Sequence, residues 1–113
     1  MDTLNVYQQD FSADCILGGV PRHAARVLLT VDSGGGQVCY KAAVNFFRHE
    51  DAEDFSIDCD GYFDTALFEG KGRRSKKREA ALLSEFRTHA DAIAAAQGGS
   101  IDWAAPLGAA RNG

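Results

Sequence analysis

Six cations crowd into the eight residues from Lys71 to Arg78, as Lys71, Arg73, Arg74, Lys76, Lys77 and Arg78 around Gly72 and Ser75. The chemistry such a run offers is anion binding, with Arg donating through a planar fork and Lys acting as a compact charge toward phosphate or carboxylate oxygens. An apolar periodicity starts where the cluster ends, so Lys76, Lys77 and Arg78 fall in the first turn of a predicted helix. That end of a helix carries partial positive charge, and each cation there costs about 0.3–1 kcal/mol at low salt. An anion is therefore expected against the cluster: a nucleic-acid backbone, a partner's acidic surface, or this chain's own acidic half.

The remaining chemically able residues form no constellation. His23, His49 and His89 stand in unrelated local contexts, and no Ser or Cys sits in a nucleophile pattern. The run Asp58-x-Asp60-Gly61-x-x-Asp64 with Glu69 superficially has the look of a calcium loop, but its glycine is fourth where the helix-loop-helix pattern needs it sixth. Asp60-Gly61 is read as hairpin-turn chemistry instead. Gly34-Gly35-Gly36 lacks the Gly-Lys-Ser/Thr ending of a phosphate loop and is read as a hairpin loop. Cys15, Cys39 and Cys59 are odd in number, widely spaced and without a Cys-x-x-Cys pair, so three separate reduced thiols are expected. The chain is accordingly read as a non-enzyme, with no metal and no cofactor.

Charge is divided unevenly along the chain. Up to Glu69 there are twelve carboxylates against four cations, a net −8, whereas from Gly70 onward eight cations face four carboxylates, a net +4. The overall balance of −4 speaks against indiscriminate nucleic-acid binding. Screening limits charge interactions to about 8–10 Å at physiological salt, so each half can still act locally. Glu50, Asp51, Glu53, Asp54, Asp58, Asp60 and Asp64 form a second candidate contact surface, able to present carboxylates in place of phosphates.

The elements that must position these groups are legible in part. A length of 113 residues with 45% hydrophobic content suits a single domain, taken as residues 1–105, with residues 106–113 a frayed tail beyond Pro106. Val27, Leu29 and Val31 alternate with other residues, Asp32 to Gln37 supplies a turn, and Val38, Tyr40, Ala42, Val44 and Phe46 alternate again. Pairing Val31 with Val38, Leu29 with Tyr40 and Val27 with Ala42 places six apolar groups on one face. A second hairpin is expected to set Phe55, Ile57 and Cys59 against Phe63, Thr65 and Leu67. Val6-Tyr7 and Cys15-Ile16-Leu17 read as short strands, with Gly18-Gly19-Val20-Pro21 as an interruption. Ser75 then caps one helix carrying Leu82, Leu83, Phe86, Ala90, Ile93 and Ala94, which Gly98-Gly99 stops. Leu83, Phe86 and Ile93 are expected to be buried. Ile101 and Trp103 are expected to pack back on the core or helix. The fold class is α+β: a four- or five-stranded antiparallel meander covered by one C-terminal helix. No charged start precedes an apolar run and no stretch could span a bilayer, so a cytoplasmic location is expected.

Two resemblances bear on function. Gly70-Lys-Gly-Arg-Arg-Ser-Lys-Lys-Arg-Glu-Ala-Ala81 resembles the end of double-stranded-RNA-binding domains, and Gly19-Val-Pro-Arg-His23 is faintly similar to that family's first loop. The resemblance implies that Gly70, Gly72, Ser75, Lys76, Lys77 and Ala80 join a last strand to a helix whose N-terminus and lysines lie over phosphates. The family's N-terminal helix has no legible counterpart in this chain. Small acidic single-domain inhibitors of bacterial defence from phage and mobile elements, anti-CRISPR proteins among them, are similar in type. That similarity implies a non-catalytic inhibitor or adaptor acting by electrostatic protein–protein contact on nucleic-acid-handling machinery, by nucleic-acid mimicry among other means. The alternative is direct nucleic-acid binding through the basic cluster. Neither reading involves a membrane, and both are compatible with a homodimer.

Overall fold

The computed structural model describes residues 2–48 and 61–111, with side chains described for residues 3–48 and 61–107. Five strands, β1 (Asp2–Leu17), β2 (Val20–Gly34), β3 (Gln37–Phe47), β4 (Tyr62–Lys71) and β5 (Ser100–Arg111), form one antiparallel sheet in the order β4-β3-β2-β1-β5. Two helices, α1 (Lys76–Ser84) and α2 (Phe86–Ala96), intervene between β4 and β5. The fold is thus α+β as expected, but it corrects the expectation twice. The meander covers only β1 to β4, with β5 returning to the far edge, and the helical segment is two pieces followed by a strand.

Glycine pairs explain both tight hairpins. Gly18-Gly19 and Gly35-Gly36 adopt positive φ at both positions, the backbone that a two-residue hairpin turn demands. The first turn fuses the two short N-terminal strands and their supposed interruption into β1 and the start of β2, with Pro21 already paired to Ile16. The second is shorter than the expected Asp32–Gln37 turn, so the register moves by two: Val31 pairs Tyr40, Leu29 pairs Ala42 and Val27 pairs Val44. A shift of two keeps every side chain on its face, and the expected six remain together. The strand assigned to Phe55, Ile57 and Cys59 lies outside the described residues. Its expected partner is β4, which pairs with β3.

One sheet face carries Val27, Leu29, Val31, Tyr40, Ala42 and Val44, all fully buried, and packs against Phe86, Ala90, Ile93 and Ala94 of α2. The other face is not solvent-bathed either. Ala24, Leu28, Thr30, Ala43, Asn45 and Phe47 are buried, and Arg26 makes a two-pronged ion pair with Asp10 at 2.7 and 3.0 Å. Burial on both faces is why Ala24 to Val31 reads as a nearly continuous apolar run.

The expected single helix breaks at Glu85, whose φ of −107° and ψ of 1° leave the helical region. Its N–H bonds back to the Leu82 carbonyl, tightening the last turn of α1. Ser75 does cap α1, accepting from the Arg78 N–H at 3.2 Å. The Gly98-Gly99 stop also forms, with Gly98 at positive φ and the Gly99 N–H bonded to the Ala94 carbonyl at 2.8 Å. Phe86 and Ile93 are buried as expected, whereas Leu83 is 37% exposed.

Residues from Pro106 to Arg111, expected to fray, form the second half of β5. Pro106 is tolerated because β5 is an edge strand, where a missing N–H can face away from the ladder. Between the pairs Ser12–Asp102 and Phe11–Pro106 the strand carries three extra residues, Trp103 to Ala105. Such an irregularity re-aims a side chain, and here it lays Trp103 edge-on against Phe11 at 4.8 Å between ring centroids. Among the described residues no helix is long and apolar enough to cross a membrane.

Candidate anion-facing site at the start of helix α1

Two of the six cations serve the fold. Arg74 grips Glu79 through two hydrogen bonds, Nε to Oε2 at 3.1 Å and Nη2 to Oε1 at 3.0 Å. Glu79 in turn accepts from the Tyr40 hydroxyl at 2.6 Å, and that hydroxyl accepts from the Ser75 N–H at 3.1 Å. The clamp joins the centre of β3 to the first turn of α1. Tyr40 is fully buried, and a buried phenol of this kind requires a partner for its hydroxyl. Arg78 lies over the Phe68 ring at 3.6 Å, a cation–π contact with a residue that reaches the helix-facing side of β4 because Leu67 is bulged out of register.

The electrostatics follow from these contacts. The Arg74 guanidinium first, and the Tyr40 hydroxyl after it, hold the Glu79 carboxyl below the usual carboxylate range against the opposing effect of burial. Glu79 raises Arg74 in return. Burial and then the Glu79 hydrogen bond push the Tyr40 phenol upward. Part of the anion expected against the cluster is therefore the chain's own, one residue beyond Arg78 and inside the helix.

Lys71, Arg73, Lys76 and Lys77 are exposed, and no ion pair with a described residue engages them. All six expected residues are exposed, but Arg74 and Arg78 also fasten α1, whereas the other four make no such contact with a described residue. Of the second candidate surface, Asp64 is exposed on β4, while Glu50, Asp51, Glu53, Asp54, Asp58 and Asp60 lie outside the described residues. Cys15 is buried with its thiol 3.6 Å from the Gln97 carbonyl, Cys39 is half-buried, and both are free; Cys59 lies outside the described residues. Among the described residues no three His, Cys, Asp or Glu side chains converge in a way that could hold a metal ion.

Sequence reading missed Tyr40, Phe68 and Glu79 as parts of this site. Tyr40 and Phe68 carry only a core or strand signal, because their roles arise from positions far apart in the chain. Glu79 had a readable clue, since a carboxylate in a first helical turn is favoured by the helix dipole and lies within reach of the preceding cations. The N-terminus, where double-stranded-RNA-binding domains have a helix, is strand β1. No protein-family model matches this chain, and neither a curated protein nor a solved structure matches it.

Proposed function

We propose that the protein is a small non-catalytic binding module, an inhibitor or adaptor, that docks the cationic start of α1 on an acidic protein surface. The observation that carries this reading is the division of the cluster. Arg74 and Arg78 fasten α1 to the sheet, and the side chains of Lys71, Arg73, Lys76 and Lys77 stand exposed on that mount without an ion pair to a described residue, Lys76 adding only its charge to the field that lowers Glu79. Holding charges in place before binding lowers the ordering cost of association, and cations so held steer encounter with an acidic partner. Tight duplex binding draws on several phosphate contacts, and the four cations without a described partner sit on a chain of net charge −4. A target within nucleic-acid-handling machinery, whose surfaces are rich in charge, belongs to the same proposal.

The test is a pull-down from nuclease-treated bacterial lysate with wild type and a Lys76→Glu/Lys77→Glu variant, paired with gel-shift titration over a salt series. A protein partner should survive nuclease and be lost with the variant, with negligible binding to duplex or single strands at physiological salt. A submicromolar, salt-sensitive gel shift abolished in the variant would establish nucleic-acid binding instead.

A further inference from the structure

The two edges of the sheet are built differently. β5 carries Pro106 and a three-residue irregularity, both of which hinder the pairing of a further strand. β4 has no proline, and no described strand pairs with its outer side. Such an edge offers backbone N–H and C=O groups to another extended strand. α2 stands off from β4, leaving a groove of about 650 Å³ lined by Phe63, Thr65, His89 and Ala96 open beside it. The one irregularity of β4 is the bulge at Leu67.

That bulge decides which strand fits, because residues opposed across a pair of strands point to the same face. Pairing with β3 puts Tyr62, Asp64, Ala66, Glu69 and Lys71 on the face away from the helices. Phe63, Thr65, Phe68 and Gly70 take the helix-facing side, where Leu67 packs with Phe68 against the core. A regular strand laid along β4 matches these faces on one side of the bulge and opposes them on the other. A second β4, antiparallel and centred between Leu67 and Phe68, matches throughout. Asp64 then faces Lys71 of the second copy, Thr65 faces its Gly70, Ala66 its Glu69 and Leu67 its Phe68, so each strand's extra residue is met by the other's. The shorter register centred on Asp64 sets that carboxylate against its own copy, which like charges disfavour. We infer that the protein forms a two-fold dimer in which β4 pairs with β4 of a second copy in the register centred on the bulge. The middle of the pairing is apolar, since Leu67 and Phe68 are only half-buried in the single chain. Its flanks are the two Asp64–Lys71 ion pairs that the symmetry generates. Both residues are exposed, and the Asp64 carboxylate can accept from an ammonium as well as from the Tyr62 hydroxyl that bonds it. The dimer does not rest on the docking reading above, because Lys76 and Lys77 take no part in the pairing.

Sedimentation equilibrium of the full chain over a concentration series tests it, and wild type should sediment as a dimer. Asp64→Lys alone and Lys71→Asp alone each set like charges against one another at both flanks, and each should weaken dimerisation by at least about tenfold. An equimolar mixture of the two variants should recover it as a heterodimer, because every charge across the axis then meets its opposite. Recovery on mixing also shows that the single variants are folded. Lys76→Glu/Lys77→Glu should leave the dimer intact, so a failure of the docking reading and a failure of this one are told apart. The inference is overturned if wild type stays monomeric at millimolar concentration, if it dimerises but neither charge reversal weakens it, or if the two variants fail to associate when mixed. A dimer lost in Lys76→Glu/Lys77→Glu would move the interface to the start of α1 and overturn it as well.

Discussion

Helices α1 and α2 arise from one uninterrupted periodic stretch and are held to the sheet by opposite means. Along α2, Phe86, Ala90, Ile93 and Ala94 are buried, and apolar contact with the sheet fixes the helix. Along α1 the buried residue is Glu79, and beyond half-buried Leu82 against the core the helix is fastened by a carboxylate, a guanidinium, a phenol and a ring-stacked cation. The difference teaches where each kind of attachment is useful. Apolar burial is strong and tolerant of direction, so it suits a helix whose task is to cover the core. A polar clamp is directional and fixes the orientation of a helix whose outer surface stays free for other contacts.

Removing apolar area from α2 should have the largest effect. Phe86→Ala should cost about 3–5 kcal/mol, as a large-to-small change at a position 4% exposed, and urea unfolding measures it. A loss below about 1 kcal/mol, closer to the effect of a surface change, would break the assignment of α2 as the apolar anchor.

The clamp comes next. Glu79→Ala should cost about 1.5–3 kcal/mol, the range for hydrogen bonds to a charged group, with the share from Arg74 reduced by its partial exposure. Hydrogen exchange should show the loss in residues 76–84 while residues 86–96 keep their protection. The same contrast has a pH signature. Glu79 is lowered in the folded state, so its contribution is complete above the ordinary carboxylate value of 4.5 and is lost as pH falls through the lowered folded value. Tyr40 is raised, so its contribution is complete below 10 and is lost as pH climbs through the raised folded value. Exchange in α1 should therefore accelerate at both extremes relative to α2. Equal acceleration of the two helices would merge them into one unit.

The smallest effect sharpens the comparison by sign. Lys77 is an exposed cation in the first turn of α1, and Lys77→Glu should stabilise that helix by about 0.3–1 kcal/mol at low salt, fading as salt rises. Higher stability together with weaker partner binding would show that the cation is kept at the expense of the fold. A destabilised Lys77→Glu protein would mean that the residue has a structural partner after all.

Much of this molecule was written locally. The alternation from Val27 to Val31 and from Val38 to Phe46 names two strands and their inner face, Ser75 and Gly98-Gly99 mark the ends of the helical segment, and the charge division is arithmetic on the chain. These features depend on neighbours a few residues apart, where backbone preference and periodicity suffice. Tertiary structure alone decided the rest. It buried both faces of β2 and β3, drew Pro106 and its neighbours into β5, and broke the helix at Glu85. It also separated Arg74 and Arg78 from the other four cations, because Tyr40 and Phe68 come to α1 from strands up to thirty-nine positions away. Charge counts are a property of sequence, but which charges are already satisfied depends on contacts that only the folded chain makes.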